Sequence, residues 1–242
     1  MTKITILIPC YNELGTLEEI VNKVLKSKIS EKEIIIIDDC SYDGTREILE
    51  SKISKLVNKV IYHKKNFGKG AAIRSGIKHA GGDIIIIQDA DLEYDPNDYE
   101  KLIEPIIKNQ ADVVYGSRFI ESKDEKRRSF FWAPQDKRKL YFSHRVANYL
   151  LTLLSNMFSN VNLTDMETGY KCFKKKVVEN INLQENGFGF EPEITAKLAK
   201  KKIRFLEVGI SYNGRTYDEG KKIRAIDGLK AVYYIFKYNI FG

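Results

Sequence analysis

Four consecutive isoleucines, Ile84-Ile85-Ile86-Ile87, run directly into Gln88-Asp89-Ala90-Asp91, and this stretch constrains the chain more than any other. An unbroken apolar run of that length, preceded by Gly81-Gly82, reads as a strand buried on both faces. Such strands belong to parallel sheets covered by helices. Two carboxylates then stand at the strand's carboxyl end. Residues two apart on extended backbone point the same way, roughly 6–7 Å apart at Cα, so Asp89 and Asp91 can converge on one hard cation. Ligands in open α/β sheets bind at the carboxyl ends of strands. Mg²⁺ or Mn²⁺ held by one or two carboxylates, with phosphate oxygens completing the shell, is how enzymes handle nucleotide diphosphates. Taken alone, Asp-x-Asp fits a solvated turn better than a metal site, so the decision rests on the rest of the chain.

That rest alternates strands with helices. Ile4–Ile8 is a strand closed by Pro9, and Leu17, Ile20, Val21, Val24 and Leu25 form a helical apolar stripe. Ile34–Ile37 is a second strand, and Ser41-Tyr42-Asp43-Gly44-Thr45 a turn that caps the helix carrying Ile48 and Leu49. Val60-Ile61-Tyr62, Ile84–Ile87 and Val113-Val114-Tyr115 are further strands, separated by a helix to about Ala80 and another through Tyr99, Leu102, Ile103 and Ile106. The pattern predicts a three-layer α/β sandwich with a mainly parallel sheet and right-handed crossovers. The second half is less regular: a long helix from about Leu140 to Phe158, one around Pro192–Lys201, a strand at Phe205–Ser211 and a helix from Ala225.

The 242 residues suffice for one large α/β domain, and no Pro/Gly/Ser-rich linker divides them. No apolar run reaches about eighteen residues, so neither a transmembrane helix nor a signal peptide is expected. Cys10, Cys40 and Cys172 are odd in number and widely spaced, which fits a reduced cytosolic protein. A net charge of +7 suggests an anionic partner: nucleotide, lipid phosphate, membrane surface or nucleic acid.

Each strand of the first half ends in polar or Gly-rich chemistry. Pro9-Cys10-Tyr11-Asn12-Glu13 follows the first strand and Asp38-Asp39-Cys40-Ser41 the second. Asn66-Phe67-Gly68-Lys69-Gly70-Ala71 leads into a helix, where backbone N–H groups and Lys69 can face phosphate, although its Gly-x-Gly lacks the Rossmann and Walker spacings. Asp38 can accept from a base or ribose hydroxyl and Tyr11 can stack on a base. Helix caps, turns and core filling explain each residue singly.

In order and spacing, these segments together with Asp89-Ala90-Asp91 and Gly116-Ser117-Arg118 resemble family 2 glycosyltransferases of the GT-A fold. The polyprenyl- and dolichyl-phosphate mannosyl- and glucosyltransferases are the most similar branch, through Asp165-Met166-Glu167-Thr168-Gly169-Tyr170-Lys171 and Arg215…Gly220-Lys221-Lys222. The resemblance covers about residues 3–225. It implies a single GT-A domain over 1–242, with a nucleotide-sugar half to about residue 118 and an acceptor half from about 119.

The resemblance also implies roles. Pro9, Tyr11, Glu13 and Asp38 would hold the nucleotide base and ribose, with Asp39, Lys69 and Ala90 as further members of that site. Asp89 and Asp91 would carry Mg²⁺ or Mn²⁺ on the diphosphate, and Arg118 and Arg215 would meet phosphate. Some relatives have Gln where this chain has Glu93, which leaves a metal contact by Glu93 open.

The implied reaction is an inverting, in-line transfer of a hexose from a UDP- or GDP-linked donor. The leaving diphosphate then needs a dication and basic side chains. The acceptor implied is a polyprenyl or dolichyl phosphate, whose anionic oxygen needs no strong base. A sugar hydroxyl would need one, and Asp165, Glu191 and Glu193 are the candidates, Asp165 fitting a helix cap equally and Glu193 a first-turn helix residue. A catalytically inactive nucleotide-binding scaffold at a membrane surface is the alternative of another class. A nucleotidyltransferase would need a Gly-rich basic loop where Pro9–Glu13 stands.

Ile120 to Arg145 interleaves Lys123, Lys126, Arg127, Arg128, Lys137, Arg138, Lys139 and Arg145 with Phe130-Phe131-Trp132 and Tyr141-Phe142. This predicts an active-site lid that also touches an anionic membrane face. A plain solvated lid is the alternative, and nucleic acid is not the expected partner. The implied location is the cytoplasm, peripheral to the membrane. His63, His79 and His144 form no metal-binding spacing.

Overall fold

The computed structural model describes residues 2–120, 135–201, 203–215 and 225–241, with backbone alone at 135–144 and 225–226. The basic and aromatic segment 121–134 and the Gly220-Lys221-Lys222 motif lie outside the described residues. Among these residues the chain runs β1 (Ile4–Cys10), α1 (Leu17–Lys26), β2 (Lys32–Asp38), α2 (Thr45–Ser51), β3 (Lys59–Tyr62), α3 (Lys69–His79), β4 (Ile84–Ile87), α4 (Tyr99–Ile107) and β5 (Val113–Ser117). It continues through α5 (Gln135–Ser159), β6 (Lys171–Lys174), α6 (Lys175–Val178), α7 (Phe190–Lys200), β7 (Phe205–Gly209) and α8 (Ala225–Phe236), which ends in a π-helical turn at Lys237–Phe241.

The strands form one sheet in the order β3-β2-β1-β4-β6-β5-β7. All neighbouring pairs are parallel except those of β6, which runs antiparallel between β4 and β5. The isoleucine runs explain the layering. Alternate residues of a strand face opposite sides, so Ile4, Ile6, Ile8, Ile34, Ile36, Ile84 and Ile86 pack against Leu17, Ile20, Val21 and Val24 of α1 and Leu102, Ile103 and Ile106 of α4. Leu7, Ile35, Ile37, Ile85 and Ile87 meet Ala72, Ile73 and Ile77 of α3 and Ile194 and Leu198 of α7 on the other side. Every one of these strand side chains is 5% exposed or less, and burial of each contributes roughly 1.5–3 kcal/mol.

Two departures from the expected architecture matter. The segment quoted as a motif, Asp165–Lys171, feeds a strand that periodicity does not announce: β6 has only Cys172 and Phe173 between two lysines. Its reversed direction brings the 165–170 loop to the carboxyl edge of β4. The long helix also begins at Gln135, not near Leu140.

The sheet opens at that edge. β1 pairs with β2 as far as Cys10↔Asp38, while its pairing with β4 stops at Leu7↔Ile87. The chain leaves β1 toward β2 on one side and returns as β4 on the other, so the crevice is a topological switch point. Asn12, Cys40 and Leu92, which follow β1, β2 and β4, all take left-handed φ values of 51°, 67° and 63°. Non-glycine residues with such φ cluster where backbone is shaped for a ligand.

Candidate active site

The loops after β1 and β2 are stitched together. Asn12 N–H donates to Ser41 Oγ at 2.9 Å, Tyr42 N–H to Asn12 Oδ1 at 3.0 Å and Glu13 N–H to Thr45 Oγ1 at 2.9 Å. Asp43 accepts from Thr45 N–H at 3.1 Å, at the start of α2, and from Leu14 N–H at 3.1 Å. Tyr11 and Tyr42 meet edge to face with centroids 6.1 Å apart, so Tyr11 stands at the rim with one ring already beside it. Half-buried Pro9 and buried Ala90 line the parting of β1 and β4.

At the floor, Asp89 and Asp91 each hold a cation from elsewhere in the chain. Lys69 Nζ lies 2.9 Å from Asp89 Oδ1 and 3.3 Å from Glu191. Arg215 reaches Asp91 Oδ2 at 3.0 Å and Glu13 at 3.3 Å. Burial, then the charges of Asp89 and Glu93, push the Asp91 carboxyl up to about 7, against the pull of Arg215. Burial disfavours charge on Lys69, but Asp89 and Glu191 outweigh it and hold the ammonium well above its ordinary range. Glu93 works on the backbone: it accepts from Arg215 N–H at 2.7 Å and from Tyr212 Oη–H at 3.0 Å, fastening the 212–215 segment to the loop after β4.

Arg118, just beyond β5, is locked to Asp165. Its Nε and Nη2 lie 2.7 Å from the two carboxylate oxygens, and its backbone N–H donates at 3.1 Å. Asn148 of α5 adds a bond at 2.8 Å, and Glu207 of β7 fixes the backbone N–H of Asp165 at 3.0 Å. Burial pushes the Asp165 carboxyl up, but the guanidinium outweighs it and holds the group below the usual carboxylate range. A carboxylate paired in this way is poorly placed to take up a proton as a general base. Glu193 is likewise committed, accepting from the N–H groups of Gln184 and Glu185 at 2.6 and 2.7 Å and from Lys197. Glu191 keeps Oε2 buried without a partner.

The Gly-rich loop before α3 also differs from expectation. The N–H groups of Phe67 and Gly68 donate to Asp39 at 2.9 and 2.6 Å, and that of Ala71 to the Asn186 carbonyl at 3.1 Å, so these amides serve the protein itself. Gly68 has φ +95°, and a Cβ there would stand 2.5 Å from the Asn186 oxygen, which is why glycine is needed. His63 completes the arrangement as a structural residue, its ring bridging Asp39 at 2.7 Å and Ser75 at 2.9 Å. Asp38 is fully buried, accepting from Ser41 N–H at 3.1 Å and Arg46 Nε at 2.8 Å. Both oxygens of Asp38 and of Asp39 are thus engaged within the protein.

Two further groups escaped the sequence reading. Lys171 is fully buried, donates to the carbonyls of Met166 and Thr168, and lies 4.5 Å from the centre of the Tyr115 ring. Burial lowers its ammonium to about 8. Burial, then the Glu191 charge, raises the neighbouring Glu167 carboxyl to about 8. A fully buried lysine inside a motif leaves no sequence signal beyond its place next to Tyr170.

Among the described residues no group of three or more His, Cys, Asp or Glu is arranged to hold a metal. The donor set at β4 is two carboxylates, at present neutralised by Lys69 and Arg215. That suits a hard dication taking most of its ligands from a diphosphate, and a cation there would occupy the position that these side chains now balance.

Fold and site define an α/β enzyme with an acidic, arginine-flanked cleft at the switch point. A family model, Glycosyl transferase family 2, matches residues 5–181, and the chain belongs to that family. It is a glycosyltransferase. A dolichol-phosphate mannosyltransferase of Pyrococcus furiosus is 31% identical over 98% of this chain, which spans 64% of that protein's length. An undecaprenyl-phosphate mannosyltransferase of Micrococcus luteus is 24% identical, covering 98% of this chain and 94% of its own. In three dimensions the chain resembles glucosyl-3-phosphoglycerate synthase of Mycobacterium tuberculosis, solved with Mn²⁺, UDP and phosphoglyceric acid. The TM-score is 0.70 at 16% identity, over 100% of this chain and 80% of that one. The expected GT-A fold is the fold observed.

Proposed function

We propose that the protein transfers a hexose, with inversion, from a UDP- or GDP-sugar to a polyprenyl or dolichyl phosphate. The observation that carries this reading is a pair of arginines each held by carboxylates at the carboxyl edge of the sheet: Arg118 by Asp165, and Arg215 by Glu13, Asp91 and Glu93. Two prepaid cationic forks suit a reaction in which an anion attacks and an anion leaves. Names of relatives such as dolichol-phosphate and undecaprenyl-phosphate mannosyltransferase support the acceptor class.

Asp89 and Asp91 would hold Mg²⁺ or Mn²⁺, which when bound supplies charge neutralisation on the donor diphosphate. A phosphate oxygen of the acceptor attacks the anomeric carbon, the bond from that carbon to the nucleotide's terminal phosphate breaks, and nucleoside diphosphate departs with the electron pair. Arg215 turns from its carboxylates to the leaving phosphate. Arg118, oriented by Asp165, binds the incoming one. Tyr11, Pro9, Glu13, Asp38 and Asp39 shape the base and ribose site. No proton has to be removed from the nucleophile, which suits a site where Asp165 and Glu193 are both committed.

A hydroxyl acceptor is the second reading, favoured by one observation: Glu191 is 3% exposed with Oε2 unpartnered, two ion-pair contacts from Asp89 through Lys69. The test incubates the protein with labelled UDP-glucose, UDP-N-acetylglucosamine or GDP-mannose, Mn²⁺ and a short-chain polyprenyl phosphate. Label entering the organic phase supports the lipid-phosphate reading. Label moving only to oligosaccharide, and lost in Glu191→Gln, would replace it with the second.

A further inference from the structure

Where the loop after β4, the 165–171 loop and the start of α7 come together, buried carboxylate oxygens outnumber their donors. Asp89 takes Lys69, and Asp165 takes Arg118. Glu191, in the first turn of α7, gives Oε1 to Lys69 at 3.3 Å and keeps Oε2 without a partner among the described residues. It is 3% exposed. Half-buried Glu167 keeps its own Oε1 buried and, among the same residues, unpartnered. Burial and the Glu191 charge push the Glu167 carboxyl up while Lys171 and Arg118 pull it down, so all three stand close by. Lys171 closes neither gap, because it donates to the carbonyls of Met166 and Thr168 and lies over the Tyr115 ring. Asp38, Asp39, Asp165 and Glu193 are all satisfied within the protein. Two buried acceptors left open beside them mark a place where a ligand supplies the donors.

Their position fits the sugar that changes hands. Lys69 joins Glu191 to Asp89, on the diphosphate side of the proposed reaction. The loop that carries Glu167 holds Arg118 through Asp165, on the acceptor side, and its Gly169 packs against Asp89. A hexose passing from one phosphate to the other lies between these two anchors. We propose that Glu191 Oε2 and Glu167 Oε1 accept hydrogen bonds from two hydroxyls of the donor's sugar and so decide which nucleotide-sugar the enzyme uses. An ionised carboxylate only accepts, so the sugar it selects is neutral and presents free hydroxyls there. A uronate would set anion against anion, and a deoxy sugar would leave a buried acceptor open. The inference rests on the donor half of the proposed reaction and is independent of the acceptor. It gives Glu191 a task in binding that needs no proton removal from a hydroxyl.

The test is titration calorimetry with Mn²⁺ and no acceptor, comparing UDP-glucose and GDP-mannose with UDP and GDP. Glu167→Leu and Glu191→Gln should each bind the sugar nucleotide that wild type prefers about tenfold more weakly, the loss of a hydrogen bond to a charged group. Affinity for the matching nucleoside diphosphate should change less than about twofold. Glu167→Leu should also raise Tm, since it removes an acceptor that the unliganded fold leaves open. A lowered Tm with equal losses for sugar nucleotide and diphosphate would make Glu167 a structural support and overturns the proposal. Wild type gives the same reading without any variant, through donors that lack one ring hydroxyl at a time. At two positions affinity should fall about tenfold, and there the variants should lose nothing further. Undiminished binding of every deoxy donor by wild type overturns the proposal, as does undiminished binding of the parent donor by both variants. So does a Glu191→Gln that loses turnover alone, the mark of a proton-removing base. Sugar-selective binding without transfer to lipid phosphate would remove the acceptor reading and leave this one, whereas lipid transfer with unselective variants would do the reverse.

Discussion

A methyl group on Gly169 would stand 2.2 Å from Oδ2 of Asp89. The loop that leads into β6 therefore touches the carboxylate that ends β4, and only a residue without Cβ leaves that carboxylate where it is. Gly169 N–H is also held by Tyr94 Oη at 2.9 Å, so the loop has little room to retreat. Gly169→Ala should displace Asp89 and weaken Mn²⁺-dependent nucleotide binding at least tenfold, about 1.4 kcal/mol. Titration calorimetry checks this, with circular dichroism to establish that the fold persists.

On the proposed metal site, the raised Asp91 carboxyl should make donor binding pH-dependent. Below about pH 7 it is protonated and a poor partner for a dication; above that value it is ionised. Metal-dependent nucleotide affinity should thus climb as pH rises toward 7 and level off beyond it. The unliganded fold should lose some stability over the same rise, since the folded carboxyl holds its proton more tightly than the unfolded one. Asp91→Ala should abolish turnover with the core intact, and Asp91→Asn should flatten the pH profile. Near-normal turnover of Asp91→Ala with saturating donor would remove Asp91 from the metal site.

Asp165→Asn should break a buried ion pair and leave Arg118 without its bidentate partner. Such losses cost about 3–5 kcal/mol of stability. Because the amide offers one acceptor in place of two and no charge to orient the fork, kcat should fall on the order of a hundredfold with donor KM little altered. Arg118→Lys tests the same geometry from the other side: charge is kept, the fork is lost, and rate should fall similarly. A fully active Arg118→Lys would reduce Arg118 to a counter-charge.

At the opposite edge of the sheet, Asp112 ties β5, β6 and β7 together by accepting from Arg204 Nε and Lys174 Nζ, both at 2.8 Å. The Arg204 bonds, opposed by burial and aided by Lys174, hold its carboxyl well below the usual aspartate range. Its contribution is present above the ordinary aspartate pKa and disappears as pH falls through the depressed value. Asp112→Asn should lower Tm at neutral pH, and the gap from wild type should close in strong acid. A constant gap at every pH would show that the carboxylate's charge contributes nothing.

Much of this could be read from residues in order. Isoleucine-rich runs locate β1, β2 and β4, and the Leu17–Leu25 stripe locates α1, because burial on both faces leaves a plain local pattern. Asp89 and Asp91 are visible for the same reason, standing where such a run stops. What could not be read depends on distance along the chain. Arg215 meets Glu13 across 202 residues, β6 is too short to show a period, and Lys171 is buried where a lysine is expected outside. The Gly-rich loop misleads because its amides look available until Asp39 and Asn186 fold onto them. The polar ridge of α5 is likewise invisible until Asn148, Thr152 and Asn156 are seen bonded to the 163–166 loop.

The direction of β6 also bears on how the molecule is assembled. Ile84, Ile85 and Ile86 pair with Lys174, Phe173 and Cys172, residues synthesised long after them. Until those arrive, β4 is an open edge of four isoleucines on a nascent sheet already joined to β1 and β2, the kind of edge that recruits strands from other chains. A fragment truncated after Ser117 would contain the nucleotide-side motifs and still be expected to aggregate. Residues 1–117 are therefore not expected to form a unit of folding, and β6 is the strand that closes the β4 edge against pairing with other chains.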